Sequence, residues 1–211
     1  FCTTNRHAYA NGKRPYQKRH SAIGGHLVSG KRLPEGADAG NRAQIGVGLS
    51  NIYNYFSCKD DIFVQIVTPA VRTFENMLDE HHGRRGTDIM AMCNRDYFKY
   101  MVDEYTSFIH RHRDLLLLLL FRSQGSSLEN YKEEFARKST ALVKEYFTLM
   151  KHKHPQLETD ISDFSIRMHT VWMFALFEEL LMRRVKPDEI EKVVTEYMTI
   201  EVAGWRELMK I

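Results

Sequence analysis

From residue 52 to residue 211, apolar residues recur three and four positions apart over long stretches, with few breakers and almost no two-residue alternation. That pattern predicts an all-α fold. A short helix is expected from near Gly48 to Phe56. A second follows Ser57, whose hydroxyl is placed to cap it, with Asp60 and Asp61 in the first turn. It runs towards His81, and Pro69 predicts a kink or break near residues 67–68. Gly83 and Gly86 bracket a loop. A long segment over about residues 88–112 precedes a compact apolar one, residues 114–122, which ends at the SQGSS loop. Further helices are expected over about residues 128–153 and 161–185. Pro187 opens the last one, which extends to about residue 209 with Ile190, Val193, Val194, Tyr197, Met198 and Trp205 on its apolar side.

Composition narrows the class. A content of 43% hydrophobic and 27% charged residues is ordinary for a globular chain. The longest apolar run, residues 115–121, falls far short of the roughly 20 residues needed to span a bilayer. No membrane partner is therefore expected. The opening FCTTNRHAYANGKRP has no apolar stretch and does not read as a secretory signal, so the expected location is cytoplasmic. Three widely spaced cysteines without a CxxC predict neither a disulfide framework nor a zinc site. The net charge of +3 is unevenly held: residues 1–45 carry eight Lys/Arg against two acidic residues, leaving 22 basic and 25 acidic residues elsewhere. The same 45 residues contain six of the twelve glycines and almost no large aliphatic side chains at helical spacing.

The string GVGLSNIYNYFSCKDDIF, residues 46–63, combines a turn glycine, a core aliphatic, a YxYF aromatic cluster and a lysine opening the next helix. As a joint pattern it resembles the turn, recognition helix and start of the fourth helix of the TetR/AcrR family of transcriptional regulators. The resemblance implies a TetR-like all-α fold with an N-terminal helix-turn-helix and a C-terminal helical domain for ligand binding and dimerisation. It implies that Leu49, Ser50, Asn51 and Asn54 face base edges in a major groove, with Asn51 or Asn54 able to pair with adenine. Tyr53 and Tyr55 would contact phosphate or base methyl groups, and Lys59 a phosphate. Ile52 and Phe56 would form the core of the recognition helix. Family layout further implies a small-molecule inducer of unknown identity, palindromic operator DNA, and a homodimer built on the last two helices. We expect Trp172, Phe177, Leu181, Val194, Tyr197, Met198 and Trp205 at that interface. The inducer's contact residues are not assigned.

Upstream the resemblance stops. The family's first two helices typically read LFxxKGFxxTxxxxIAxxAG, whereas this chain has LVSGKRLPEGADAGNRAQIG, with Gly36 and Gly40 and no apolar face. The genetic code offers an explanation. Regrouping the implied codons by one base permits MxEIAxKSG over residues 38–46 and LFxEKGF over residues 27–34, at the family's spacing and with no gap. We therefore read residues 1–45 as a frameshifted segment replacing the first helices, residues 46–64 as the remnant of the helix-turn-helix, and residues 65–211 as the regulatory domain.

Histidines paired at 81/82, 110/112 and 152/154 are adjacent or alternate, whereas helical metal ligands recur at three or four. They are expected at the surface, with no metal or other cofactor. No phosphate loop, nucleophile elbow or ExxH pair occurs, so no catalytic residue is assigned and the chain is not expected to be an enzyme. The alternative to a DNA-binding repressor is a helical ligand-binding or dimerisation module without DNA activity. Nucleotide sequence across codons 40–50 is expected to have lost one G from a run at the junction of codons 45 and 46. An intact frame in the source would remove the frameshift explanation.

Overall fold

The structure, a computed structural model, describes residues 56–83 and 86–211. Among them the fold is all-α. Six helices follow in order: α1 Lys59–His82, α2 Ile89–Met92, α3 Arg95–Phe121, α4 Tyr131–Lys153, α5 Asp163–Met182 and α6 Pro187–Met209.

The 24 residues of α1 span about 36 Å. Asp60 and Asp61 occupy its first turn, where carboxylates complement the free N–H groups. The cap differs from expectation: Cys58 is the N-cap and makes no side-chain cap bond. Ser57 instead donates its backbone N–H to Asp61 Oδ2 at 3.0 Å. Nor does the helix break at Pro69. Proline leaves the carbonyl four residues earlier without its helical donor. Here that residue, Gln65, and Pro69 itself are both exposed, so water can take the place of the missing N–H. At the other end Gly83 N–H bonds Asp79 O at 2.8 Å. A Cβ on Gly83 would sit 2.4 Å from that oxygen, so the close approach, not the backbone angle, requires glycine.

Residues 88–122 form one short helix and one long one. Asp88 caps α2 through a bond from Met90 N–H, and Asn94 caps α3 through a bond from Tyr97 N–H. The two segments expected on either side of residue 113 are joined in α3 across a kink at His112, whose φ of −119° and ψ of 19° are not helical. Helix α4 starts later than expected because Ser126 turns the chain first, donating to Ser123 O and accepting from Leu128 N–H. Ser162 caps α5, and Pro187 occupies the first turn of α6 as predicted.

Helix α1 packs on α3 and α4, α3 on α6, and α4 on α5. Phe63, Ile66, Val67, Ala70, Phe74, Met77, Leu78 and His81 form one buried stripe along α1 at helical spacing. Phe74 is its centre. Its ring lies 4.7 Å from Phe108, 5.3 Å from both Phe174 and Phe177, and 5.6 Å from Phe135, so it ties α1 to α3, α4 and α5 at once. The leucine run of α3 joins this large cluster. A smaller cluster gathers Ile89, Val143, Tyr146, Phe147, Leu157, Ile161, Ile166 and Met209. No described helix is long and apolar enough to cross a membrane.

Phe74→Ala is expected to lower the free energy of unfolding by about 3–5 kcal/mol, since truncating a buried phenylalanine leaves a cavity its neighbours only partly fill. Urea denaturation at constant slope measures it. A loss of under about 1 kcal/mol would show that Phe74 is not the hub of the packing.

Candidate ligand cavity

A cavity of about 120 Å³ lies on the seam between the two clusters. That is close to the ~150 Å³ in which an engineered apolar cavity holds one benzene ring. Tyr105, Tyr197 and Met198 line it from the larger cluster, and Val143, Phe147 and Ile166 from the smaller. His81 and His82 reach it from the C-terminal end of α1.

Most polar groups around it are already paired. His81, seven residues beyond Phe74 on the same stripe, is buried between Tyr97 and Glu104. Its Nε2 lies 2.7 Å from Glu104 Oε2, and its Nδ1 bonds the Tyr97 hydroxyl. A carboxylate at Glu104 accepts from Nε2–H, which leaves Nδ1 to accept the phenol proton. Burial pushes Tyr97 well above the usual phenol range and so keeps that proton in place. On the opposite side, Glu201 is buried on α6. Its Oε2 bonds His169 Nδ1 and accepts from Trp205 Nε1 at 3.1 Å. Tyr146 donates to Thr87 O at 2.6 Å.

Two further groups set the local electrostatics. Asp88 receives Met90 N–H, Lys153 and His154 Nε2, the last at 3.0 Å, which links the end of α4 to the start of α2. Burial alone would raise its pKa, but these donors outweigh it and hold the carboxyl at about 2. His82 makes no hydrogen bond among the described residues and packs edge-on to Tyr146 at 5.3 Å. It is half-buried by exposure, yet protein atoms desolvate the ring, and with His81 and His169 nearby its pKa falls to about 3. His82 is therefore a neutral imidazole. Cys93 also lines the cavity; burial raises its pKa, so it remains a thiol.

The expectation of surface histidines thus needs correction. His110 and His152 are exposed, but His81 is core and His82, His112 and His154 are half-buried. Spacing from Phe74 was the available signal for His81. No group of three His, Cys, Asp or Glu side chains among the described residues could hold a metal ion.

Of the residues assigned to DNA, Leu49, Ser50, Asn51, Tyr53, Asn54 and Tyr55 lie outside the described residues, as do the core residue Ile52 and the segment read as frameshifted. Lys59 is the exposed first residue of α1, and Phe56 is half-buried just before it. The interface assignment is corrected more deeply. Phe177, Leu181, Val194, Tyr197 and Met198 are buried in the chain's own core and have no surface to offer a second subunit. Trp172 lies on an exposed apolar face, and Trp205 is half-buried between that face and the cavity, lining both. That face carries Phe164, Met168, Val171 and Trp172 of α5 beside Ile200 and Leu208 of α6, with Phe164 71% and Ile200 57% exposed. Gly204 leaves an open groove between them.

No family model, curated protein or solved structure matches the chain.

The neutral state of His82 predicts a pH dependence. Unfolded, the ring takes a proton near pH 6.5; folded, it stays neutral down to about pH 3. Between those values the unfolded state binds more protons, so stability falls as pH drops below 6.5, by about 2 kcal/mol at pH 5. Asp88 adds its loss only below about pH 4, since its folded pKa is about 2. Urea unfolding of His82→Phe at pH 7 and pH 5 should show this difference largely abolished. An unchanged slope in the variant would assign the acid sensitivity to another group.

Proposed function

We propose that this chain derives from a ligand-responsive transcriptional repressor of the TetR/AcrR type, and that its DNA-binding unit is incomplete in the present 211 residues. The observation that carries the reading is continuity. The motif GVGLSNIYNYFSCKDDIF runs directly into α1, and α1 ends in the wall of an apolar cavity at His81 and His82. A ligand in that cavity would touch the far end of the helix that follows the recognition motif. It could favour one setting of that helix over another, which is what a response to an inducer requires.

Two further features support the reading. The cavity is mostly apolar and formed between helices, with α6 giving the largest share of its wall, as ligand sites in helical proteins are formed between packed helices. The exposed apolar face of α5 and α6 suits a two-fold contact with a second copy, in which the same patch meets itself. Two-fold symmetry would in turn select palindromic DNA.

The second reading, a helical ligand-binding or dimerisation module without DNA activity, is favoured for the present chain by one observation. Residues 1–45 hold six glycines and no helical apolar face to support a recognition helix.

Selection from a randomised duplex library tests both readings, using this chain and a version with the reading frame restored before codon 46. The restored protein is expected to enrich a palindrome and to lose affinity steeply with added salt. The present chain is expected to enrich none. Failure of the restored protein to enrich any duplex would sink the repressor reading. In sedimentation at micromolar concentration both proteins should be dimers, and the double variant Trp172→Glu, Ile200→Glu a folded monomer.

A further inference from the structure

We propose that the cavity takes an uncharged, ring-sized molecule carrying a hydroxyl group, and that the His82 imidazole is the polar group that recognises it. The inference rests on the reading of this cavity as a ligand site and specifies the chemistry that would fill it.

The His82 ring is directed inward and unpaired. It closes α1 and lines both the cavity of about 120 Å³ and a second one of about 50 Å³ on the Phe74 side. It meets Tyr146 of α4 edge-on at 5.3 Å, and His169 of α5 is near enough to disfavour its protonation. The ring therefore points between those helices. Part of the residue stays accessible there, although protein atoms desolvate the ring.

A neutral imidazole carries one N–H donor and one bare nitrogen acceptor. Neither is bonded by a described residue, whereas His81 and His169 on the same walls are both engaged. A desolvated donor and acceptor left unpaired cost stability, so a ligand that pairs with either recovers a bond the empty protein does not make. A hydroxyl serves whichever ring nitrogen holds the proton, since it accepts from N–H and donates to the bare nitrogen. A carbonyl oxygen can only accept.

Ligand charge follows from the pairing already described. Glu201 Oε2 is taken by His169 and Trp205, and His81 by Glu104 and Tyr97. Arg206 touches the cavity but is exposed to solvent. Size follows from the walls: about 120 Å³ between Tyr105, Phe147, Ile166, Met198 and Trp205 fits one ring with a short substituent.

Phenol and toluene share a shape and differ by a hydroxyl for a methyl, so calorimetric titration of the full chain with each, without DNA, isolates the polar contact. Wild-type protein is expected to bind both. His82→Phe, which keeps a ring against Tyr146, should lower the affinity for phenol relative to toluene about five- to tenfold, the worth of one net hydrogen bond. His82→Gln, which restores a donor and an acceptor, should recover most of that ratio. In wild-type protein with isotope-labelled histidine, phenol should shift the His82 ring-nitrogen resonances well beyond any change with toluene, a readout that needs no variant to fold. An unchanged ratio in His82→Phe, or equal shifts with both probes, would overturn the assignment of His82. Failure of wild-type protein to bind phenol would overturn the ligand class, whether or not toluene binds. Because no DNA is present, none of these outcomes depends on whether the chain is a repressor, which the duplex selection decides separately.

Discussion

The burial of one stripe of α1 organises the described structure. Eight side chains from Phe63 to His81 lie on one face of a single unbroken helix, and Phe74 in their midst touches rings from three other helices. Aromatic rings meeting edge-on and tilted fix relative orientation as well as distance. Once α1 is seated, α3 and α4 have their places against it, and α5 and α6 pack on those two in turn. The stripe passes from apolar to polar at its end, where His81 replaces a hydrocarbon with a ring that must be hydrogen-bonded.

That transition explains the cavity. The large cluster around Phe74 and the small one around Tyr146 and Phe147 meet over hydrogen-bonded side chains with polar tips, namely His81, Tyr97, His169 and Glu201. Such groups must satisfy their hydrogen bonds before they can fill space, and the geometry that pairs Glu201 with Trp205 and His81 with Glu104 leaves a gap between them. The cavity and the polar networks are two results of one packing constraint.

Much of this was legible in the chain itself. Helix order, the end of α1 at Gly83, the loop at residues 123–127 and the opening of the last helix at Pro187 follow from breakers and caps, which act locally. What was not legible depends on neighbours. Helix α5 is apolar round most of its circumference, so spacing could not tell which residues face inward. Phe177 and Leu181 turned out to be core, and Phe164 and Met168 to be the exposed ones. Pro69 was read as a kink or a break, and the break does not occur because its lost hydrogen bond falls on the exposed side of the helix. The paired histidines were judged as metal ligands or surface residues, although a third state, buried and hydrogen-bonded, is open to His81 once Glu104 and Tyr97 face it. The motif at residues 46–55 lies outside the described residues, so its placement rests on the residues alone.

The kink at His112 divides labour within α3. Before it, Tyr97, Met101 and Tyr105 shape the cavity while Val102, Phe108 and Ile109 enter the large core cluster; after it, the leucine run belongs to that cluster alone. The non-helical angles at His112 bend the helix axis, so the two halves run in different directions. The segment before the kink thus serves two faces at once, the cavity on one side and Phe74 through Phe108 on the other. A change at the cavity wall there is therefore felt at the centre of the core as well.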